Sequence, residues 1–217
     1  MFDFASIDPK HAIVLFVSLI ISLTVHEFAH AFVADRLGDP TPRSHGRLTL
    51  NPTVLFKAHP FGAFVVPLLA ALQGFLIGWA ATPVNPSQVR RSISMRRAEF
   101  LISVAGPVSN VLLAILSAIA FVAILSFRSP GLQPMLDLAH AMVMANVILA
   151  LLNIMPIPPL DGYTVLKTTA PNNPALPFIE QNQLIILILF FMFAGRIFLP
   201  VMISVAEGLR WMAGMVL

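Results

Sequence analysis

The sequence predicts an all-α polytopic membrane protein with about four transmembrane helices, a re-entrant segment and a short membrane-associated β-hairpin. Three observations carry that class. Apolar residues make up 58% of the 217-residue chain and charged residues only 11%. With a mean hydropathy of +0.87, this lies far from the composition of a soluble domain. The apolar residues fall into five blocks, each close to the ~20 residues that cross a bilayer as a helix. Polar, proline-rich connectors separate the blocks and hold most of the basic residues. The net charge of +3 therefore reads as membrane orientation, and no nucleic-acid partner is expected. With no cysteine in the chain, disulfides and thiolate metal sites are excluded.

The length accommodates one membrane domain over 1–217. Its first block, about 11–37, follows an acidic, non-basic leader and is too long for the apolar core of a signal peptide. His26, Glu27 and His30 are the ionisable residues of its interior, and Asp35-Arg36 mark its end. In the connector "GDPTPRSHGRLTLNP", residues Gly46, Arg47, Leu48, Thr49 and Leu50 alternate in strand fashion until Asn51-Pro52 stops them. That alternation predicts the hairpin. The second block, about 61–81, carries Pro67, Gln73, Gly74 and Gly78, which suit a chain that enters the membrane and turns back. The third block, 99–127, and the fourth, 138–155, read as spans. After the fourth, Pro156, Pro158 and Pro159 forbid further helix. The fifth span, 184–212, is interrupted by Arg196, read as a snorkelling cation or as the partner of a buried acid. Asn110 in the third block either hydrogen-bonds to another helix near the site or serves as packing glue. Asn146 reads as packing. His11, His45 and His140 fall near interfaces and are not read as ligands.

The polar residues of the first span carry the chemistry. An ionisable side chain at membrane depth costs at least about 2.5–3.5 kcal/mol, so it marks function. His26 and His30 are four residues apart and share one helical face, which lets them bind one metal ion together. Glu27 lies beside them. This H-E-x-x-H spacing supplies two imidazole ligands and a general base, usually around zinc. A catalytic zinc needs a third protein ligand and an open position. The candidate is Asp161 in "NIMPIPPLDGYTVL", just after the prolines that break the fourth span, with Gly162 permitting a turn that aims the carboxylate inward.

Three stretches in this order resemble the site-2 protease family of intramembrane zinc metalloproteases: "HEFAH", "AGPVSN" at 105–110, and "NIMPIPPLDG". The stretch "GRLTLNP" resembles a small group without PDZ or CBS domains. The resemblance implies one zinc per chain on His26, His30 and Asp161, with Glu27 activating a water. It also implies that Asn153 holds the substrate or the developing oxyanion. The substrates expected are membrane-spanning or signal-peptide-like segments that unwind before cleavage. The 46–50 hairpin either pairs its edge with such a substrate or only caps the cavity. The same residues are compatible with two other classes, a metal-binding transporter and a catalytically silent relative that binds membrane segments. The lack of an internal repeat and Glu27 between the histidines argue against the first. Filled catalytic positions argue against the second.

Parity sets the expected topology. If His26 and Asp161 hold one ion, the first and fourth blocks run in the same direction, so one block between them does not cross. With block 61–81 re-entrant, Arg36, Arg43, Arg47, Lys57, Arg90, Arg91, Arg96, Arg97 and Lys167 share a side. Lys10, Arg128 and Arg210 lie opposite. The positive-inside rule makes the rich side cytoplasmic and the N-terminus extracytoplasmic in the plasma membrane. The zinc would then lie within the bilayer, nearer the cytoplasmic face.

Overall fold

The computed structural model describes residues 8–216, and the acidic leader, residues 1–7, lies outside them. Helix α1 (Pro9–Leu37) starts where the Asp8 side chain accepts the Lys10 amide at 3.0 Å with Pro9 in the first turn, the usual chemistry of a helix start. Short helices α2 (Thr41–Ser44) and α3 (Pro52–Ala58) follow in the first connector. Helix α4 (Phe61–Leu72) is apolar but too short to span. Helices α5 (Met95–Ser126), α6 (Gln133–Asn153) and α9 (Gln183–Val216) are long, with α7 (Asp161–Thr169) and α8 (Ala175–Gln181) between the last two. Four helices, α1, α5, α6 and α9, are long and apolar enough to cross a membrane. The chain is a multi-pass membrane protein.

Helices α1, α5 and α6 form the packed centre. Just over half of the most apolar stretch of α1 is buried in protein (56%), against 11% for α9, which leaves α9 at the periphery. The buried face of α1 tolerates hydroxyls because each is satisfied within its own helix. Ser18, Ser22 and Thr24 donate to the carbonyls of Val14, Ser18 and Ile20 at 2.7 Å, so no polar group is left bare in an apolar setting. Direction follows from two cavities. Lys10 and Leu15 of α1, Phe121 and Leu125 of α5, and Gln133 and Met144 of α6 line one of about 990 Å³. His26, Ile102 and Asn153 line another. Helices α1 and α6 therefore run the same way and α5 runs against them.

Residues 61–81 do not form one helix. After Leu72 the chain turns at Gly74, whose φ of 77° favours glycine, and comes back extended. The Trp79 amide donates to the Gly62 carbonyl at 2.9 Å, and His59 Nε2 lies 2.8 Å from the Ala81 carbonyl. The imidazole thus fastens the two ends of the segment together.

Asp39, fully buried, ties the flanking connectors. Its carboxylate accepts the amides of Thr41 at 2.9 Å and Asn85 at 2.5 Å, and the Arg90 amide donates to the Leu37 carbonyl at 3.0 Å. Arg96, at the start of α5, donates to the last carbonyls of α7, those of Thr168 and Thr169, where the helix dipole favours a cation. The connectors before α2 and before α5 and the end of α7 therefore share one side of the bundle.

The predicted β-hairpin is absent; no strand occurs among the described residues. Period-two alternation over 46–50 finds no partner strand, and local turns take its backbone groups. The amides of Gly46 and Arg47 donate to the carbonyls of Arg43 and Pro42, the Asn51 amide donates to Thr49 Oγ1, and Asn51 caps α3. Arg196 is exposed on α9, 5.7 Å from the Phe193 ring centre, with no ion pair to a buried acid among the described residues.

Candidate metal centre

One turn of α1 brings His26 and His30 together, and their rings meet edge to face at 4.6 Å between centres. Both are buried, at 4% and 8% exposure. The Nδ1 of His30 lies 2.7 Å from the Ile102 carbonyl of α5, and the Nδ1 of His26 lies 2.6 Å from Asn110 Oδ1 of the same helix. With both Nδ1 atoms engaged there, both Nε2 atoms face inward, 3.0 Å apart. The Asp161 Oδ2, at the first position of α7, completes the group at 3.3 Å from each.

These distances fit a metal ion. Four ligands at about 2.0–2.1 Å from a tetrahedral zinc lie about 3.3–3.4 Å apart, close to the three separations observed. Asp161 Oδ2 is buried and accepts no hydrogen bond, a costly state for a carboxylate oxygen that a cation would relieve. Two imidazoles and a carboxylate with an open position are also a donor set that zinc takes in catalytic sites.

Backbone approach makes the site possible. A Cβ on Gly106 would stand 2.4 Å from His30 Nε2 and 2.5 Å from His26 Cε1, so α5 packs on both rings only because residue 106 has no side chain. The reading of Gly162 as a turn residue is corrected. Gly162 is helical in α7, and its use is space, since a Cβ there would meet the Ile154 carbonyl oxygen at 2.2 Å. The unwound stretch between α6 and α7, with a cis bond at Pro158-Pro159, delivers Asp161 beneath the histidines.

Glu27 is buried at 6% exposure, and its Oε2 has no hydrogen-bond partner. It lines a cavity of about 220 Å³ together with His26, His30, Thr82, Asn153 and Asp161. It also lines a pocket of about 10 Å³ with Arg47, Thr49 and Asn51. Arg47 Nη1 is likewise buried without a partner. Of the residues 46–50, Arg47 and Thr49 reach this pocket, whereas Gly46, Leu48 and Leu50 do not. Thr82 Oγ1 donates to the Glu27 carbonyl at 3.1 Å and holds the returning limb of 61–81 against the site. Asn153 lines the larger cavity while one of its N–H groups donates to the Leu149 carbonyl at 3.0 Å.

Sequence reasoning did not assign Thr82 or the Ile102 carbonyl to the site, and no local signal marks them. For Asn110 it left two readings open, and the contact with His26 selects the one at the site.

Residues 14–130 match the family description "Peptidase family M50". The protein named "Putative zinc metalloprotease YwhC" from Bacillus subtilis is 37% identical over 165 residues, 72% of this chain and 69% of that one. Two mycobacterial proteins named Rip2, with the same description, are similar. The one from Mycolicibacterium smegmatis is 33% identical over 68% of this chain and 54% of its own. The one from Mycobacterium tuberculosis H37Rv is 32% identical over 80% and 64%. The chain thus spans between 54% and 69% of these relatives' lengths. No solved structure matches.

Proposed function

The chain belongs to peptidase family M50, the site-2 protease family, and on that premise we propose that it is an intramembrane zinc metalloprotease. Its substrates would be membrane-spanning or signal-peptide-like segments. The observation that carries the reading is the convergence of three potential ligand atoms, 3.0–3.3 Å apart, beside a buried carboxylate oxygen without a partner. His26, His30 and Asp161 would hold one zinc, which when bound polarises a carbonyl and lowers the pKa of a water.

The protein's own groups do the rest. Glu27, which lines the cavity and has an unpartnered Oε2, would serve as the base that takes a proton from the attacking water and returns it to the leaving amine. Asn153 keeps a second N–H beyond the one on Leu149, available to a substrate carbonyl or to its oxyanion. Within 46–50, substrate contact falls to Arg47 and Thr49, which line the pocket beside Glu27. A helical peptide bond is shielded by its own hydrogen bonds, so the substrate must unwind to enter a cavity of this size.

The shared side of the connectors and α7 supports the topology expected from parity. That side carries Arg43, Lys57, Arg90, Arg91, Arg96, Arg97 and Lys167, which makes it cytoplasmic by the positive-inside rule. The centre would then sit within the bilayer of the plasma membrane, nearer its cytoplasmic face, with the N-terminus outside.

The test compares wild type with Glu27→Gln in lipid nanodiscs, measuring zinc content and cleavage of a membrane-anchored segment. Glu27→Gln should keep about one zinc per chain and lose cleavage, because the ligands remain and the base is gone. Undiminished cleavage in Glu27→Gln would refute the mechanism, and a metal-free wild type would refute the zinc.

A further inference from the structure

Behind the histidines a second polar group crosses the bundle. Asn110 of α5, Asn146 of α6 and Ser22 of α1 are each fully buried, and all three sit in helices that cross the membrane by length and composition. Two amides at such depth are expensive unless every bond is made. Here they are. Asn146 Nδ2 donates to the Met142 carbonyl and to Ser22 Oγ, both at 2.8 Å. Ser22 in turn donates to the Ser18 carbonyl at 2.7 Å, so towards Asn146 it accepts. Asn110 Nδ2 donates to Asn146 Oδ1 at 2.8 Å and, over a longer 3.5 Å, to the Ser22 carbonyl, and Asn110 Oδ1 faces His26 Nδ1 at 2.6 Å.

The direction of this chain is not free. A backbone carbonyl only accepts, so the Asn146 atom facing Met142 must be the NH₂ group. Its other atom is then the oxygen, which requires the Asn110 NH₂ group opposite and leaves the Asn110 oxygen against His26. Nδ1 of His26 must therefore carry the proton, and Nε2 is bare towards Asp161. The opposite tautomer would turn both amides round and set the Asn146 oxygen 2.8 Å from the Met142 oxygen, with that bond lost and the Ser22 hydroxyl able to meet the turned oxygen only by giving up the Ser18 carbonyl. The geometry points to Asn110 and Asn146 as positioning residues. The Met142 carbonyl of α6, three links from the site, sets the tautomer in which His26 can bind metal, and the longer contact of Asn110 to the Ser22 carbonyl favours the same direction. Asn146 acts without touching the centre. Outer partners of metal-binding histidines fix ring and tautomer in this way, and losing one typically costs 10- to 100-fold in metal affinity.

This inference rests on the zinc reading for its consequence, but the tautomer can be measured without zinc. In the full-length chain in nanodiscs, stripped of metal, the side-chain ¹⁵N spectrum should show His26 protonated on Nδ1 alone, the signal assigned by its loss in His26→Ala. Asn146→Leu, which removes the short anchor and leaves Asn110 only its 3.5 Å contact with the Ser22 carbonyl, should show Nε2-protonated His26 as well. In zinc-loaded protein, Asn110→Ala should release zinc to a chelator 10- to 100-fold faster, and Asn146→Leu at least severalfold faster. Ser22→Ala removes a neighbour of the same cluster but spares the Met142 anchor, so its tautomer and release rate should stay within twofold of wild type. Wild-type His26 protonated on Nε2 overturns the proposal, and that measurement needs no variant to fold. So does zinc release from Ser22→Ala as fast as from Asn146→Leu, which would make the effect one of packing. A wild type that binds no zinc yet shows the Nδ1 tautomer removes the metal reading and leaves the tautomer assignment standing.

Discussion

Replacing Gly106 with alanine adds one methyl group at the contact between α5 and both histidines. The built Cβ lies 2.4 Å from His30 Nε2 and 2.5 Å from His26 Cε1, whereas an ordinary contact begins at 3.4 Å. Either the rings or α5 must move by about 1 Å, several times the ~0.2 Å tolerance of a metal–ligand distance. Stability moves less. Overpacking costs about 1–3 kcal/mol, and alanine regains roughly 0.8–1 kcal/mol of helix propensity over glycine, so the net loss is near 0–2 kcal/mol. A misplacement of about 1 Å at a reacting centre costs on the order of 100-fold in rate. Gly106→Ala should therefore fold, melt within several degrees of wild type, bind zinc markedly more weakly and cleave at least about 100-fold more slowly. Gly195→Ala is the control, because nothing lies within 4 Å of the added Cβ there. Zinc titration, thermal unfolding and cleavage in nanodiscs measure all three quantities. Wild-type zinc affinity and cleavage in Gly106→Ala would show that the rings do not pack on α5 as described.

Asn153→Ala should keep near-normal zinc and folding while cleaving at least tenfold more slowly, since one oxyanion donor is typically worth 10²–10³ in rate. Zinc loss in parallel with activity would instead assign Asn153 to holding the end of α6. Single cysteines at Thr41 and Ser92 should label from the cytoplasmic side and one at Gln133 from the opposite side, against a background free of native cysteine. Labelling of Thr41 and Ser92 from opposite sides would mean that residues 61–81 cross the membrane. On the connector side, the Tyr163 hydroxyl, and after it Lys167, hold the Glu180 carboxyl below its usual range. A carboxylate whose pKa is depressed on folding stabilises above its unfolded pKa, and that contribution disappears as pH falls through the folded value. Protection of the α8 amides, measured against the intrinsic exchange rate at each pH, should thus fall on acidification below the ordinary glutamate range, and Tyr163→Phe should flatten that dependence. Equal acid sensitivity in both proteins would exclude the contact.

What could be read from the chain alone was local. The apolar spans follow from hydropathy. The shared face of His26 and His30, with Glu27 beside them, follows from the 3.6-residue period of a helix. The prolines at 156, 158 and 159 end α6 in any context. Asp161 entered from the sequence only through the demand for a third ligand and a resemblance, because nothing in "LDGY" specifies what its carboxylate will meet. The alternation of 46–50 misled for a related reason. A strand exists by pairing with a distant segment, and the turn bonds to Pro42 and Arg43 use the same amides first. Gly106 and Gly162 both lie in helices, yet each is required by an atom far along the chain or across a break. Only the tertiary structure set the tautomer of His26, through Asn110, 84 residues away, and a carbonyl of α6. Helix period and hydropathy act over a few residues, so the sequence carries them openly. The direction of a buried hydrogen-bond chain belongs to three helices at once and exists only when they have packed.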